Sequence, residues 1–328
     1  MSLKPPYVCN GCDKLRSCTL TKSLYSASAA QKQYELCRSE SRSGINISEE
    51  EVFRLDHFIS PLIEKGQSIH HICTTHRDSI MHSEKSIYNY IDYNLFSARN
   101  IDLPRKVRYR PRKKSSQHFK VDRSCRIGRT YEDFLNFIKE HPDTPIVQMD
   151  SVEGTKGGKV LLTIHFTSSQ YMLAFIRDSN TSRSVIDIFE NLYWELNPDI
   201  FSELFPVILT DNGSEFSNPL AIEFDKAGNR RTYIFYCNPS APYEKGSAEN
   251  NHEFIRRIVP KGHSFNSYLQ EDISLMMSHI NSYGRKKLND RSPHSVFNFL
   301  HGADTLEKLN AKLIPAKDIV LNTKLLKK

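Results

Sequence analysis

Asp150, Asp211 and Glu249 are the residues of this 328-residue chain whose types and settings could do chemistry together. Asp211 opens Asp211-Asn212-Gly213-Ser214-Glu215-Phe216, directly after the apolar run Phe205-Pro206-Val207-Ile208-Leu209-Thr210. A short buried-strand pattern that ends in an acid and a glycine turn leaves the carboxylate at the strand's carboxyl edge, within reach of a ligand or metal. Asp150 lies on a second apolar strand, Ile146-Val147-Gln148-Met149-Asp150, which reads on to Val152, and Glu249 stands where a glycine loop turns into a helix, Gly246-Ser247-Ala248-Glu249-Asn250-Asn251. Three carboxylates are hard oxygen ligands of the kind Mg²⁺ takes. Singly, each acid also has an ordinary reading: a turn residue, a solvent-facing strand acid, and a helix-start acid favoured by the dipole.

A second set of candidate ligands lies near the amino terminus. Cys9-Asn10-Gly11-Cys12 has the spacing of a zinc half-site, and Cys18 and Cys37 would complete a tetrahedral sulfur set for one structural Zn²⁺. The competing reading is four reduced thiols. Cys73, Cys125 and Cys237 carry no pattern, His165 has no ligand partner at a metal spacing, and Glu153, Glu215 and Glu253 read as structural or substrate-facing.

The elements that position the acids follow from pattern. A hydrophobic content of 38% with 25% charged residues is ordinary for a soluble globular protein, and the length suits about two domains. No apolar run is long enough to span a membrane and no signal peptide opens the chain, so the expected location is cytoplasmic. Residues 1–43 form a cysteine-rich segment and 44–100 a helical region. There, Ser48 begins a capping box, Ser68 opens a short helix, and Ser83 caps a third with Ile87, Tyr90 and Ile91 facing inward. Three short helices of this kind resemble a helix-turn-helix unit, whose last helix would offer Lys85, Tyr88 and Asn89 to a major groove.

A basic linker, residues 101–130, comes next. From Pro104 to Arg129 it holds eleven Lys or Arg against one acid, Asp122. Arg105, Lys106, Arg108, Arg110, Arg112, Lys113 and Lys114 alternate with prolines and aromatics without helical or strand period, as an arm tracking a phosphate backbone would. Residues 131–303 then read as helix, three strands, helix, strand, helix, strand and helix, an α/β pattern with a mixed sheet, and 304–328 form a carboxyl-terminal tail; from Tyr268 onward, with a helix to Tyr283 and another opened by Ser292-Pro293, the chain reads as basic and mostly helical.

The blocks Gln148-Met149-Asp150-Ser151-Val152-Glu153-Gly154, Leu209-Thr210-Asp211-Asn212-Gly213-Ser214-Glu215-Phe216 and Gly246-Ser247-Ala248-Glu249-Asn250-Asn251 resemble the catalytic core of DDE transposases and retroviral integrases. Within that group the resemblance is to the insertion-sequence-thirty family of bacterial transposases, from about Gly44 to Pro293. The 37 residues between Asp211 and Glu249 are within the family's range, and Arg256 matches a basic position two helical turns past its glutamate.

The resemblance implies a ribonuclease H-like fold, a polynucleotidyl transferase activity, and double-stranded DNA as partner, both element ends and target. The protein would work as a homo-oligomer on that DNA, nucleoid-associated in a bacterial cell. Cutting and joining phosphodiester bonds requires a deprotonated attacking oxygen and a stabilised leaving oxygen, which two Mg²⁺ (or Mn²⁺) ions about 3.5–4 Å apart supply together. Asp150 would bridge the two ions, Asp211 would hold one and Glu249 the other, with Asn212, Gly213, His252 and Arg256 positioning substrate phosphate. Family members usually carry a further helix-turn-helix segment ahead of the region with which this chain starts, so incomplete recognition of the terminal repeats is expected. A catalytically inactive repressor derived from a transposase is the alternative; three intact acids argue for the enzyme.

Overall fold

The computed structural model describes residues 8–40, 47–104, 106, 124–239, 241, 244 and 246–326, the side chains of Glu40 and of residues 246–250 excepted. They divide into two compact units, Met1–Val52 and Phe53–Lys328. In the first, a tight turn over Cys9–Gly11 precedes helix α1, Ala27–Glu40. The turn is fastened to Tyr25 by Asn10, whose side chain accepts from the Tyr25 N–H at 2.6 Å and donates to its carbonyl at 2.9 Å.

Helix α2, Glu49–Glu64, starts where Ser48 Oγ accepts the Glu51 N–H and buries the stripe Leu55, Ile59, Leu62 and Ile63. Helices α3 (Ile69–Thr75) and α5 (Glu84–Asp92) are capped by Ser68 and Ser83 as expected, and Ile87, Tyr90 and Ile91 are buried. Between them lies a single unforeseen turn, α4 (Arg77–Ile80), ended by Met81 in the left-handed region.

The α/β region begins with α6 (Tyr131–Glu140), opened by a Thr130/Asp133 capping box. Strands β1 (Ile146–Glu153), β2 (Val160–Phe166) and β3 (Tyr171–Arg177) follow as an antiparallel meander. Helices α7 (Ser182–Leu196) and α8 (Pro198–Leu204) lead to β4 (Val207–Thr210), and α9 (Leu220–Glu223) leads to β5 (Tyr233–Tyr236). The chain then runs through α10 (Gly246–Ile258), α11 (Gln270–Ser282), α12 (Pro293–His301) and α13 (Ala303–Lys308). The sheet order is β3-β2-β1-β4-β5, with β4 parallel to both β1 and β5. That order, a three-stranded meander extended by two parallel strands, is the ribonuclease H-like arrangement.

Side chains alternate along a strand, so each strand serves two layers. On one face Val147 and Met149 pack with Val185, Phe189 and Leu192 of α7, Phe201 of α8 and Phe297 of α12. On the other, Val152, Leu161 and Met172 meet Ile255 and Ile258 of α10 and Ile273, Met276 and Ile280 of α11. That second layer is divided, because over β4 and β5 the cover is Phe134 of α6 against Val207, Leu209 and Phe235.

Two features differ from the sequence expectation. Helix α8 has its signal in Asn197-Pro198, a side-chain cap followed by proline at the first helical position. It ends at Phe205, so β4 begins only after Pro206. The region read from Tyr268 onward as basic and mostly helical holds the expected helices α11 and α12, but beyond Lys308 its last part is a strap. Ile319 and Leu321 are buried in the α10–α11 layer, and the Val320 N–H donates to His279 Nδ1 at 3.1 Å. Opposite, the Gln67 amide donates to the carbonyls of Ala316 and Ile319 at 3.0 and 2.9 Å, and the Leu321 N–H to Lys65 O at 2.7 Å.

Gly66 is what lets α2 end against this strap. Its φ is +85°, and a Cβ there would meet the Leu321 carbonyl oxygen at 2.6 Å. A left-handed non-glycine residue alone costs about 1–3 kcal/mol. Gly66→Ala is therefore expected to lower unfolding free energy by at least that much in urea titration; a loss under about 0.5 kcal/mol, the scale of an ordinary surface change, would mean the strap is not docked here.

Candidate functional site

The parallel β1–β4 ladder runs from Ile146↔Val207 to Met149↔Thr210. Asp150 and Asp211 are each the next residue along, so the two acids stand at the same level where the β1–β4 ladder stops, Asp211 just past the end of β4 and Asp150 within β1, which runs on to Glu153. They lie on the sheet face that carries Gln148 and Leu209, in the gap between the α10–α11 cover and the α6 cover. Both are half-buried.

Asp150 Oδ1 accepts the Ser151 N–H at 2.8 Å. Directly opposite in the β1–β2 ladder, Thr163 donates its hydroxyl to the Asp150 carbonyl at 3.1 Å and faces His252 Nε2 at 2.8 Å. The one hydroxyl proton is spent on that carbonyl, so Nε2 of His252 is the donor to Thr163. His252 Nδ1 is then turned to Asp150 Oδ2, 3.9 Å away. Beneath this group His165 is fully buried, with no hydrogen-bond partner at either ring nitrogen among the described residues, and burial above all lowers its pKa to about 3, keeping it neutral.

Asp211 sits in its own turn, with Oδ1 accepting the Gly213 N–H at 3.0 Å. The Asn212 side chain donates to the Cys237 carbonyl at the end of β5, 2.6 Å, and the Asn212 carbonyl accepts from Arg126 at 2.9 Å. Asn212, expected to position phosphate, is thus committed to holding the turn. Gly213 is required by space, not by φ, because the Glu215 carboxylate folds against its Cα where a Cβ would stand. Pocket-lining Arg126, Tyr236 and Asn238 flank the turn, and the loop that follows is closed by Glu244 on the Asn238 N–H and side-chain amide, 2.7 and 3.0 Å.

Glu249 belongs to α10, which packs on β1 and β2; its side chain lies outside the described residues. Arg256, expected to bind phosphate, donates to the Glu153 carbonyl at 2.7 Å, and burial lowers its pKa. Glu253 pairs within the helix with Arg257 at 3.4 Å. The sequence reading passed over Thr163, Glu244 and Arg126, since no motif marks an ordinary strand threonine or a linker arginine as touching the site.

Of the expected DNA-binding residues, Lys85 and Asn89 are exposed on α5 and Tyr88 is half-buried. Lys106 is engaged with Asp92 at 3.1 Å and stands over the Tyr88 ring. Arg105, Arg108, Arg110, Arg112, Lys113 and Lys114 lie outside the described residues. Tyr88 shares a cleft of about 530 Å³ with Phe254 and Arg257 of α10 and with Arg285, Lys286 and Lys287, so α5 and α10 flank one basic opening.

The candidate zinc ligands are not gathered. Cys9, Cys12, Cys18 and Cys37 are free thiols, and among the described residues no group of three or more His, Cys, Asp or Glu is placed to hold a metal. The physical reason is local: Cys9 Sγ instead accepts the Ser23 N–H at 3.4 Å, and Cys37 lies exposed on α1.

With the geometry in view, similarity to known proteins can be stated. No protein-family model matches the sequence. The chain is a homologue of insertion-sequence transposases. It is 28% identical to the probable transposase for insertion-like sequence element IS1161 of Streptococcus salivarius over 74% of this chain and 62% of that one. It is also 27% identical to the transposase InsI for insertion sequence element IS30C of Escherichia coli over 45% of this chain and 36% of that one. The chain thus spans less than two thirds of the length of these relatives. A solved structure, the catalytic core domain of BIV integrase, superposes with a TM-score of 0.34 at 15% identity, covering 48% of this chain and 95% of that one.

Helix α5 is clasped to the core by His70. Nδ1 lies 2.7 Å from Glu84 Oε1 and Nε2 lies 2.6 Å from Asp290 Oδ1. Two carboxylates require two N–H donors, so the ring is an imidazolium, and the Asp290 bond, ahead of that of Glu84, raises its pKa against the opposing effect of burial. Because the folded value lies above the unfolded value of about 6.5, the clasp contributes fully below that pH and is lost as pH rises through the folded value. The stability difference between the wild type and His70→Gln should be widest below about pH 6.5 and shrink as pH rises above it. A pH-independent difference in urea melts would assign the contact to packing alone.

Proposed function

We propose that this protein is a transposase that cuts DNA at the ends of an insertion sequence and joins them to target DNA, assembled as a homo-oligomer on that DNA. The observation that carries the reading is the register that puts Asp150 and Asp211 side by side, one residue past the last β1–β4 pair, beside the helix that bears Glu249. The similarity to insertion-sequence transposases supports it.

The donor chemistry fits Mg²⁺ or Mn²⁺: the paired groups are half-exposed carboxylates, and the nearest thiol, Cys237, is buried in the α6 layer. Asp150, Asp211 and Glu249 would hold the metal, which when bound lowers the pKa of an attacking water or 3′-hydroxyl and stabilises the leaving oxygen. The chain's own residues do the rest. Ser151 and Gly213 N–H groups orient one oxygen of each aspartate. Thr163 fixes the ring of His252, which holds a polar group beside Asp150, and Arg256 keeps the end of β1 against α10. Helix α5 and the linker cations bind duplex DNA, chiefly through phosphate.

Asp150→Asn, Asp211→Asn and Glu249→Gln preserve shape and weaken the oxygen ligands. Each is expected to reduce cleavage and joining of end-bearing duplexes by at least about 10³-fold while leaving DNA binding within about twofold, because residues acting as a unit are not additive. Glu253→Gln, one turn further along α10, should stay active; an inactive Glu253→Gln with an active Glu249→Gln shifts the third ligand by one turn. A wild type that binds end sequences but never cuts them with Mg²⁺ or Mn²⁺ returns the reading to a repressor.

The arm has its own test. A variant with Arg110, Arg112, Lys113 and Lys114 all changed to alanine should bind duplex DNA more weakly, with a salt slope reduced by about one unit per lost phosphate contact. An unchanged slope removes the arm from the interface.

A further inference from the structure

The backbone ladder between the acid-bearing strands stops at Met149↔Thr210. Asp150 remains fixed to β2 through its pairing with Thr163. The Asp211 turn is fastened the other way, to the end of β5 and to Arg126. The distance between the two carboxylates therefore needs a tie across β1 and β4 beyond the ladder.

Arg177, the last residue of β3, is in position to contribute one. It is only 3% exposed, and it donates to Ser151 Oγ at 2.8 Å, Asn180 Oδ1 at 2.9 Å and Ser184 Oγ at 3.1 Å. Ser151 is the residue whose N–H holds Asp150 Oδ1. The guanidinium lies under the sheet on the α7 side, the face opposite the acids. Into that same layer comes Glu215, 6% exposed, in the turn that follows Asp211, with Phe216 beside it in the core. The Glu215 carboxylate lies against Gly213 on the Asp211 turn. Burial lowers the Arg177 pKa, with the negative charge of Glu215 acting in the opposite direction.

We infer that Arg177 and Glu215 are positioning residues: a buried cation bound to the Asp150 strand and a buried anion packed on the Asp211 turn, which together set the separation of the two acids from beneath the sheet. Neither touches substrate, and the inference rests on the metal-site reading above. Two buried charges in this place are poor value as stability alone, since replacing such a pair by neutral groups is often neutral or stabilising, whereas removing one partner is damaging. A role in spacing explains why they are charged. Attraction through a medium of low dielectric acts over a longer reach than contact between apolar groups.

The two metals that read spacing differently supply the test. Mg²⁺ demands near-ideal octahedral geometry, while Ca²⁺ accepts six to eight oxygens in flexible arrangements. Binding of each ion to the full chain is measured by titration calorimetry for the wild type, Glu215→Gln, Arg177→Met, Arg177→Lys and the Arg177→Met/Glu215→Gln double variant, beside melting temperature. The expected result is a Mg²⁺ affinity lowered about tenfold or more with Ca²⁺ affinity held within about twofold. The double variant should recover melting temperature without recovering Mg²⁺ affinity, and it keeps the test decisive if Arg177→Met alone does not fold. Arg177→Lys should remain impaired, because an ammonium cannot fork to Ser151, Asn180 and Ser184 together. Parallel loss of both ions in step with melting temperature, or no change in either, overturns the positioning role. A wild type that takes up neither ion overturns the metal-site reading itself, a distinct result.

Discussion

Four pairs of residues along two parallel strands, Ile146↔Val207 to Met149↔Thr210, are the constraint on which the site depends. Parallel strands in register exit the sheet at the same height, and side chains alternate with a strict period of two. A slip of one residue would move Asp150 to the α7 face and leave Asp211 where it is. The register is secured by what it buries: Met149 and Ile208 must enter the α7 layer while Val207 and Leu209 enter the α6 layer. Each such side chain is worth roughly 1.5–3 kcal/mol when buried. No hydrogen bond at the acids themselves, at about 0.5–1.5 kcal/mol net, could hold the register against that.

The two layers then explain where the opening lies. On the α7 face the cover is continuous, so nothing polar needs to reach solvent there and Arg177 must be satisfied by Ser151, Asn180 and Ser184. On the other face the cover is split between α10–α11 and α6. The acids emerge in the seam. The strap over residues 311–326 and the His70 clasp bind the α2–α5 helices to this same unit, so the candidate reader and the candidate chemistry share one framework.

Much of this was legible in the sequence for definite reasons. The strands β1, β2 and β3 are marked by mostly apolar runs, and the caps Ser68, Ser83 and Thr181 are where serine and threonine precede helical patterns. Asp150 and Asp211 were legible because each follows such a strand pattern directly, and Glu249 because a glycine loop turns into a helix just before it. What was hidden depends on long-range contact. Nothing local says that Asn212 will be consumed by Cys237, that Arg256 will turn to the Glu153 carbonyl, or that a segment near the carboxyl end will lie against Gly66. The Cys9–Cys12 spacing was legible too, but ligand spacing gives only the possibility of a site, and Cys37 lies on an exposed helix face.

Helix α10 carries the third acid, and its described side chains hold it in two ways. Its carboxyl-terminal half buries Ile255 and Ile258, with Val259 just beyond, in the α11 layer, an apolar contact worth several kcal/mol in sum. Its middle rests on polar partners, His252 on Thr163 and Arg256 on the Glu153 carbonyl, each worth about 1 kcal/mol net. Apolar burial supplies the larger energy but has no direction, whereas a hydrogen bond fixes distance and angle. The apolar end therefore holds α10 on the sheet, and the two polar contacts set where the helix stands along β1 and β2, beside Asp150.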